Sequence, residues 1–147
     1  MMVLVFTVTF ALGRPSRALY YIIMMMVNCY FTVIMKLVLH RPRPFMVVDS
    51  EIKVVGFSSE FGDPSGHTMS CAQVLTTLFL DLNSNFKGRK SYLFIASMSV
   101  ILTFVGYSRM FNGVHTLDQV IYGALIGLWI AFFGHECVRT NLFQHVD

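Results

Sequence analysis

Charge is scarce in this chain. Only 13% of its 147 residues are Asp, Glu, Lys or Arg, about half the share of a typical soluble domain. Hydrophobic residues make up 55%, and mean hydropathy is +0.63. A chain so composed reads as an integral membrane protein. Its net charge of +3 is small and scattered, so no nucleic-acid partner is expected. The three cysteines, Cys29, Cys71 and Cys137, lie in or beside apolar stretches without metal-ligand spacing, and they imply no disulfide framework. No Asp/Glu cluster suggests a required metal, and neither a metal nor a cofactor is expected. Internal repeats, low-complexity tracts and Asn-x-Ser/Thr sequons are all missing. The length leaves room for one domain, spanning 1–147.

What is present is four apolar runs. Residues 18–39 form a 22-residue stretch whose single charge is Lys36, and about 20 residues cross a bilayer. Residues 67–82 are shorter and more polar, and between stronger neighbours they read as an interior bundle helix. Residues 91–108 and 115–134 complete about four spans. The first twelve residues, MMVLVFTVTFAL, are too short to cross and lack the basic start and small-residue cleavage site of a signal peptide. They are expected to be the stub of a further span. The fold class is therefore all-α: a transmembrane bundle of about four complete spans plus an N-terminal partial one.

Alternation of the spans places loop 40–66 and turn 109–114 on one face. The GRPSR segment, loop 83–90 and the C-terminal tail fall on the other. The second face holds Arg14, Arg17, Lys87, Arg89, Lys90 and Arg139, against Arg41, Arg43, Lys53 and Arg109 on the first. The positive-inside bias puts the second face in the cytosol. Loop 40–66 also carries Asp49, Glu51, Glu60 and Asp63, and a loop of 27 residues is more often functional than idle.

Three polar clusters meet on the first face. Lys36 and Arg43-Pro44 leave one helix, Pro64-Ser65-Gly66-His67 enters the next, and Ser108-Arg109 leads through five residues to His115. Each has a plain structural reading. Lys36 can snorkel, Arg41 and Arg43 can anchor anionic lipid, Ser65-Gly66 can cap and turn, and a histidine at an interface can be structural. Together, two histidines, two arginines and a lysine on one membrane face call for an anion. Phosphate fits: arginine offers it a planar fork, lysine a point charge. Gly66 and the helix start behind it offer backbone N–H groups.

The order Lys-x6-Arg-Pro, Pro-Ser-Gly-His, Ser-Arg-x5-His resembles the phosphatidic acid phosphatase type 2 (haloperoxidase-related) superfamily, in its membrane lipid-phosphatase branch. The resemblance covers about residues 18–134. It implies a helical bundle, N-terminally shortened here relative to a six-helix family core, with a site at one membrane face. It also implies roles. His115 would attack phosphorus and form a phosphohistidine, and His67 would protonate the leaving alkoxide. Lys36, Arg43, Arg109, Ser65 and Gly66 would hold the phosphoryl oxygens, without a metal. Many members carry an Asp four residues after the second His. Here that position is Gln119, with Asp118 one residue earlier. The following Val120-x-x-Gly123 favours aligning Gln119, though Asp118 shares a helix face with His115.

The expected activity is hydrolysis of a lipid phosphate monoester or an isoprenyl diphosphate. The expected partners are that phosphorylated lipid and the bilayer. The alternative is a weak or inactive membrane protein that binds phospholipid or supports an assembly. The endoplasmic reticulum or another endomembrane, with a lumenal site, is expected ahead of the plasma membrane. His40 and Arg41 are candidates for contact with the phosphate or headgroup, or for lipid-interface anchoring; Asp63 for capping the following helix ahead of facing the leaving group; and His135 and His145 for solvated tail positions. Met24-Met25-Met26 reads as lipid-facing or packed surface.

Overall fold

The computed structural model describes residues 15–47, 60–82, 88–139 and 141. Among them the regular structure is helical. Helix α1 spans Pro15–Leu39, α2 is the single turn Pro44–Val47, α3 spans Gly66–Leu82, α4 Arg89–Phe111 and α5 Leu117–Gly134. A π-turn, His135–Arg139, continues α5. The run 1–12, Arg14, Lys87, the acids Asp49 and Glu51, and Lys53 lie outside the described residues. Helix α1 starts ahead of the expected 18–39 because Pro15 suits the first helical position, where no N–H is needed. Helix α5 starts after the expected 115 because Thr116 and Gln119 form a capping box.

Among the described residues, three stretches are long and apolar enough to cross a membrane: Ser16–Val47, Arg89–Phe111 and Leu117–Arg139. The remaining expected span is α3, with 17 residues, and it is the interior helix. Thr68, Met69, Cys71, Ala72, Gln73, Val74, Thr76, Thr77 and Asp81 along it are all buried. Its polar residues face neighbouring helices rather than lipid, which is where a bilayer tolerates them. Helix α4 is the opposite case. Only Gly106 is buried on it, and Tyr92, Leu93, Val100 and Phe104 lie open to the surroundings.

Helix α5 packs more extensively on α3 than any other pair of helices meets. The reason is a small-xxx-small face, Gly123 and Gly127, that lets the two backbones approach. A methyl on Gly127 would stand 2.3 Å from the Met69 carbonyl oxygen, and one on Gly123 would stand 2.7 Å from that of Ser65. Tyr20, Tyr21 and Met24 of α1 close the core against Met69 and Ile130. Met24 is thus core, while Met26 is exposed. Gly127→Ala is expected to lower stability by about 1–3 kcal/mol, the usual cost of overpacking. Thermal unfolding in detergent measures it, and an unchanged midpoint would deny the close approach.

The helices alternate, so α1 ends, α3 begins, α4 ends and α5 begins at one end of the bundle. At the other end Asp81 of α3 meets Arg17 of α1 at 3.0 Å and Arg139 of the π-turn at 3.3 Å, and Tyr21 donates to it at 3.1 Å.

Candidate active site

The site begins where α1 stops. Two prolines, Pro42 and Pro44, follow its last turn, and a helix does not run on through that spacing. In the segment between, Arg41 and Arg43 turn to different partners. Arg43 is buried, and its Nε donates to the Glu60 carbonyl at 2.8 Å. Arg41 is exposed, and its guanidinium meets Asp118 at 2.9 Å and Asp63 at 3.6 Å. Its own carbonyl accepts from Gly62 N–H at 2.8 Å, which ties the exit of α1 to the approach of α3.

That approach passes through a cis Asp63–Pro64 bond into the Ser65-Gly66-His67 turn. The Ser65 N–H donates to the Gln119 carbonyl at 3.1 Å, fastening the turn to α5. The Ser65 carbonyl takes the first helical bond of α3, from Met69 N–H at 2.9 Å. The N–H groups of Gly66, His67 and Thr68 precede that bond, so they point out of the helix end toward any anion there. Ser65 itself is fully buried, with Oγ 3.0 Å from Thr68 Oγ1. Its hydroxyl can donate to an anion while it accepts from Thr68, since either oxygen of the pair can be the donor. His67 is exposed at the mouth.

The charges of Arg109, Lys36 and Arg43 all act on the His67 imidazole. Arg43 and Lys36 act also on His115, and Arg109 on Arg43. The three expected cations and both histidines are therefore brought together, from four different helix ends. The Arg109 Nε is buried without a hydrogen-bond partner among the described residues. A buried guanidinium nitrogen left so is costly unless something anionic visits it.

His115 is 5% exposed. Its Nδ1 lies 3.3 Å from Gln119 Oε1, and it shares a further hydrogen bond with the Gly62 backbone. The Gln119 amide has a fixed sense. Its Nε2 donates to the Pro42 carbonyl at 3.1 Å, while Oε1 accepts from Thr116 N–H at 3.3 Å. Oxygen therefore faces His115, and an amide oxygen only accepts. That oxygen can only accept the Nδ1 proton, so this contact favours the Nδ1–H tautomer. Burial, and then the Arg43 charge, push the imidazole pKa down to about 4 against the hydrogen bonds it makes to Gln119 and Gly62. His115 is neutral at pH 7. A methyl on Gly62 would lie 2.8 Å from Gln119 Nε2, so a larger residue there would displace the amide that meets His115.

Several expectations need correcting. Asp118 does not reach His115. It is exposed, hydrogen-bonds the Thr116 hydroxyl and pairs with Arg41. Asp63 does not cap α3: Oδ2 faces Arg41, and Oδ1 has no partner among the described residues. Burial raises its carboxyl pKa against the pull of Arg41. Arg41 is occupied by these two acids rather than by the cradle. His135 is half-buried beside Tyr20, 3.5 Å from its hydroxyl, instead of solvated. His40 packs edge-on against Phe61, and His145 lies outside the described residues. One residue went unassigned in the sequence, Glu60, whose carboxylate pairs with Lys36. Its presence among the few acids of loop 40–66 was the available signal.

The family model of the PAP2 superfamily matches residues 17–143. An undecaprenyl-diphosphatase of Sulfolobus acidocaldarius is 28% identical over 112 residues, which is 76% of this chain and 50% of that protein. Phosphatidylglycerophosphatase B of Bacillus subtilis is 34% identical over 76 residues, 50% of this chain and 37% of that protein. The chain spans half or less of the length of these curated relatives. The fold is similar to the crystal structure of a transmembrane PAP2 type phosphatidylglycerolphosphate phosphatase from Bacillus subtilis. The TM-score is 0.69 at 23% identity, over 88% of this chain and 60% of that one. A match that takes in α1, α3, α4 and α5 covers each motif that converges on His115, and the chain belongs to the PAP2 superfamily.

Proposed function

We propose that the chain, acting as a single domain, is a membrane phosphatase that cleaves a lipid phosphate monoester or isoprenyl diphosphate through a phosphohistidine. The observation that carries this reading is the buried His115 imidazole, whose Nδ1 meets the Gln119 amide oxygen at 3.3 Å within the charge fields of Arg43 and Lys36. His115 Nε2 attacks phosphorus, and the bond from phosphorus to the leaving oxygen breaks. His67, as imidazolium, gives that oxygen its proton. Water then attacks the phosphohistidine while neutral His67 takes up a proton, and inorganic phosphate leaves. Lys36, Arg43, Arg109 and the N–H groups at the start of α3 hold the non-bridging oxygens. Phosphoryl transfer is mostly positioning and charge stabilisation, and fixed cations supply both without a metal ion. Gln119 stabilises an imidazolium less than a carboxylate does, which favours a slower enzyme rather than an inert one.

A lipid substrate follows from a site at the end of a bundle with apolar flanks. The names of the two curated relatives point the same way. The site end is assigned to the extracytoplasmic side, lumenal in an endomembrane such as the endoplasmic reticulum, with the plasma membrane second. The test is phosphate release by purified protein from phosphatidate, a sphingoid-base phosphate and an isoprenyl diphosphate. Release from at least one, blocked by vanadate and untouched by EDTA, is expected. No release from any of them, with vanadate failing to bind, favours a protein that only binds lipid or supports an assembly.

A further inference from the structure

The cradle already holds one carboxylate. The Glu60 carboxylate pairs with Lys36, and the two partners differ in exposure: the Lys36 side chain is 15% exposed and that of Glu60 66%. The carboxylate is thus the more solvent-open partner of the pair. A group whose purpose is to position Lys36 would be expected from the packed side. The Glu60 backbone is held separately, by the Arg43 Nε on its carbonyl. That backbone bond does not depend on where the Glu60 side chain lies, although the carboxylate also acts on Arg43 by its charge. Lys36 holds the Glu60 carboxyl below the usual carboxylate range, so it is ionised at neutral pH. An ionised carboxylate offers a basic cradle what a phosphate offers, charge and acceptor oxygens.

We infer that Glu60 is a built-in competitor for the phosphoryl group: its carboxylate occupies Lys36 in the empty site, and an incoming phosphate displaces it. This rests on the reading of Lys36, Arg43 and Arg109 as phosphoryl-binding residues. Two consequences follow. Substrate binds less tightly than the bare cradle would allow, and the returning carboxylate helps expel inorganic phosphate after hydrolysis. An ion pair this exposed shifts an equilibrium by about fivefold at most.

The test uses the purified full chain in detergent, with orthovanadate and inorganic phosphate as probes, read by calorimetry and as inhibition constants. Glu60→Gln and Glu60→Ala are expected to bind both probes about threefold to fivefold more tightly than wild type. The gain should shrink as salt is raised, and KM should fall without a matching rise in kcat. Unchanged affinity overturns the competitor role. Weaker affinity overturns it too, and makes Glu60 a support for Lys36. If wild type binds neither probe, or Arg109→Ala binds them as well as wild type, the phosphoryl cradle itself falls. That failure is distinct from equal binding by wild type and the Glu60 variants.

Discussion

His115→Ala is expected to lower phosphate release by at least about 10³-fold, with most of the loss in kcat, because the variant has no atom with which to form the covalent intermediate. The cradle survives the change. Lys36, Arg43 and Arg109 come from other elements, and vanadate or phosphate should still bind. Rapid quenching of wild type with a labelled substrate should trap an acid-labile, base-stable phosphoprotein that His115→Ala lacks. Release by His115→Ala at the wild-type rate would remove His115 from the chemistry. So would a labelled protein that is unchanged by the substitution.

The same residue sets an expectation for pH. Its imidazole is neutral in the empty site, with the pKa pushed down to about 4 by burial and by the Arg43 charge. Protonation removes the nucleophile, so activity is lost as pH falls, and for kcat/KM the His115 limb belongs near 4 rather than 6.5. A bound phosphoryl group cancels part of the cationic field that disfavours the imidazolium. The corresponding limb in kcat should therefore lie higher. Second ionisation of a phosphate monoester, near pH 6, has to be divided out of both profiles first.

Much of this bundle is legible along the chain, for identifiable reasons. An unbroken apolar run such as 18–39 has one economical place, across a membrane, and α1 covers it. The greater polarity of 67–82 marks a helix shielded from lipid, and α3 is the shielded one. Alternation then brings Lys36, His67, Arg109 and His115 to one end with no further information. What could not be read is anything decided by a fraction of a helical turn or by loop closure. Asp118 and Gln119 are neighbours that share a turn with His115. The choice between them is made by Arg41, which draws Asp118 outward, and by the Pro42 carbonyl, which holds Gln119 inward. Both groups belong to a segment more than seventy residues away, and its path has no periodicity to reveal it. Glu60 was hidden for the same reason, since only the course of the loop brings it to Lys36.

The other end of the bundle supports an asymmetric prediction. Asp81 has no exposed side-chain surface, whereas Arg17 and Arg139 are about a third exposed. Arg17 Nε stands 3.0 Å from the carboxylate yet lacks the alignment of a hydrogen bond, so its contribution there is chiefly charge. Replacing Asp81 with Asn removes the charge but keeps the shape, and both arginines can extend toward water. A loss of about 1–2 kcal/mol is expected, the scale of one hydrogen bond to a charged group. Replacing Arg17 and Arg139 together with Ala leaves a buried carboxylate whose remaining hydrogen-bond partner among the described residues is the Tyr21 hydroxyl. An ion stranded in this way costs about 3–5 kcal/mol. The double variant should therefore unfold well before Asp81→Asn in denaturant or thermal titrations in detergent. Equal midpoints would mean that the carboxylate is hydrated and the cluster no more than a surface contact. Helix α3 carries Asp81 at one end and His67 at the other, roughly 20 Å apart at the helical rise. While the variants remain folded, both should bind vanadate as wild type does, because the cluster acts by fixing where α3 stands and touches none of the phosphoryl-binding groups.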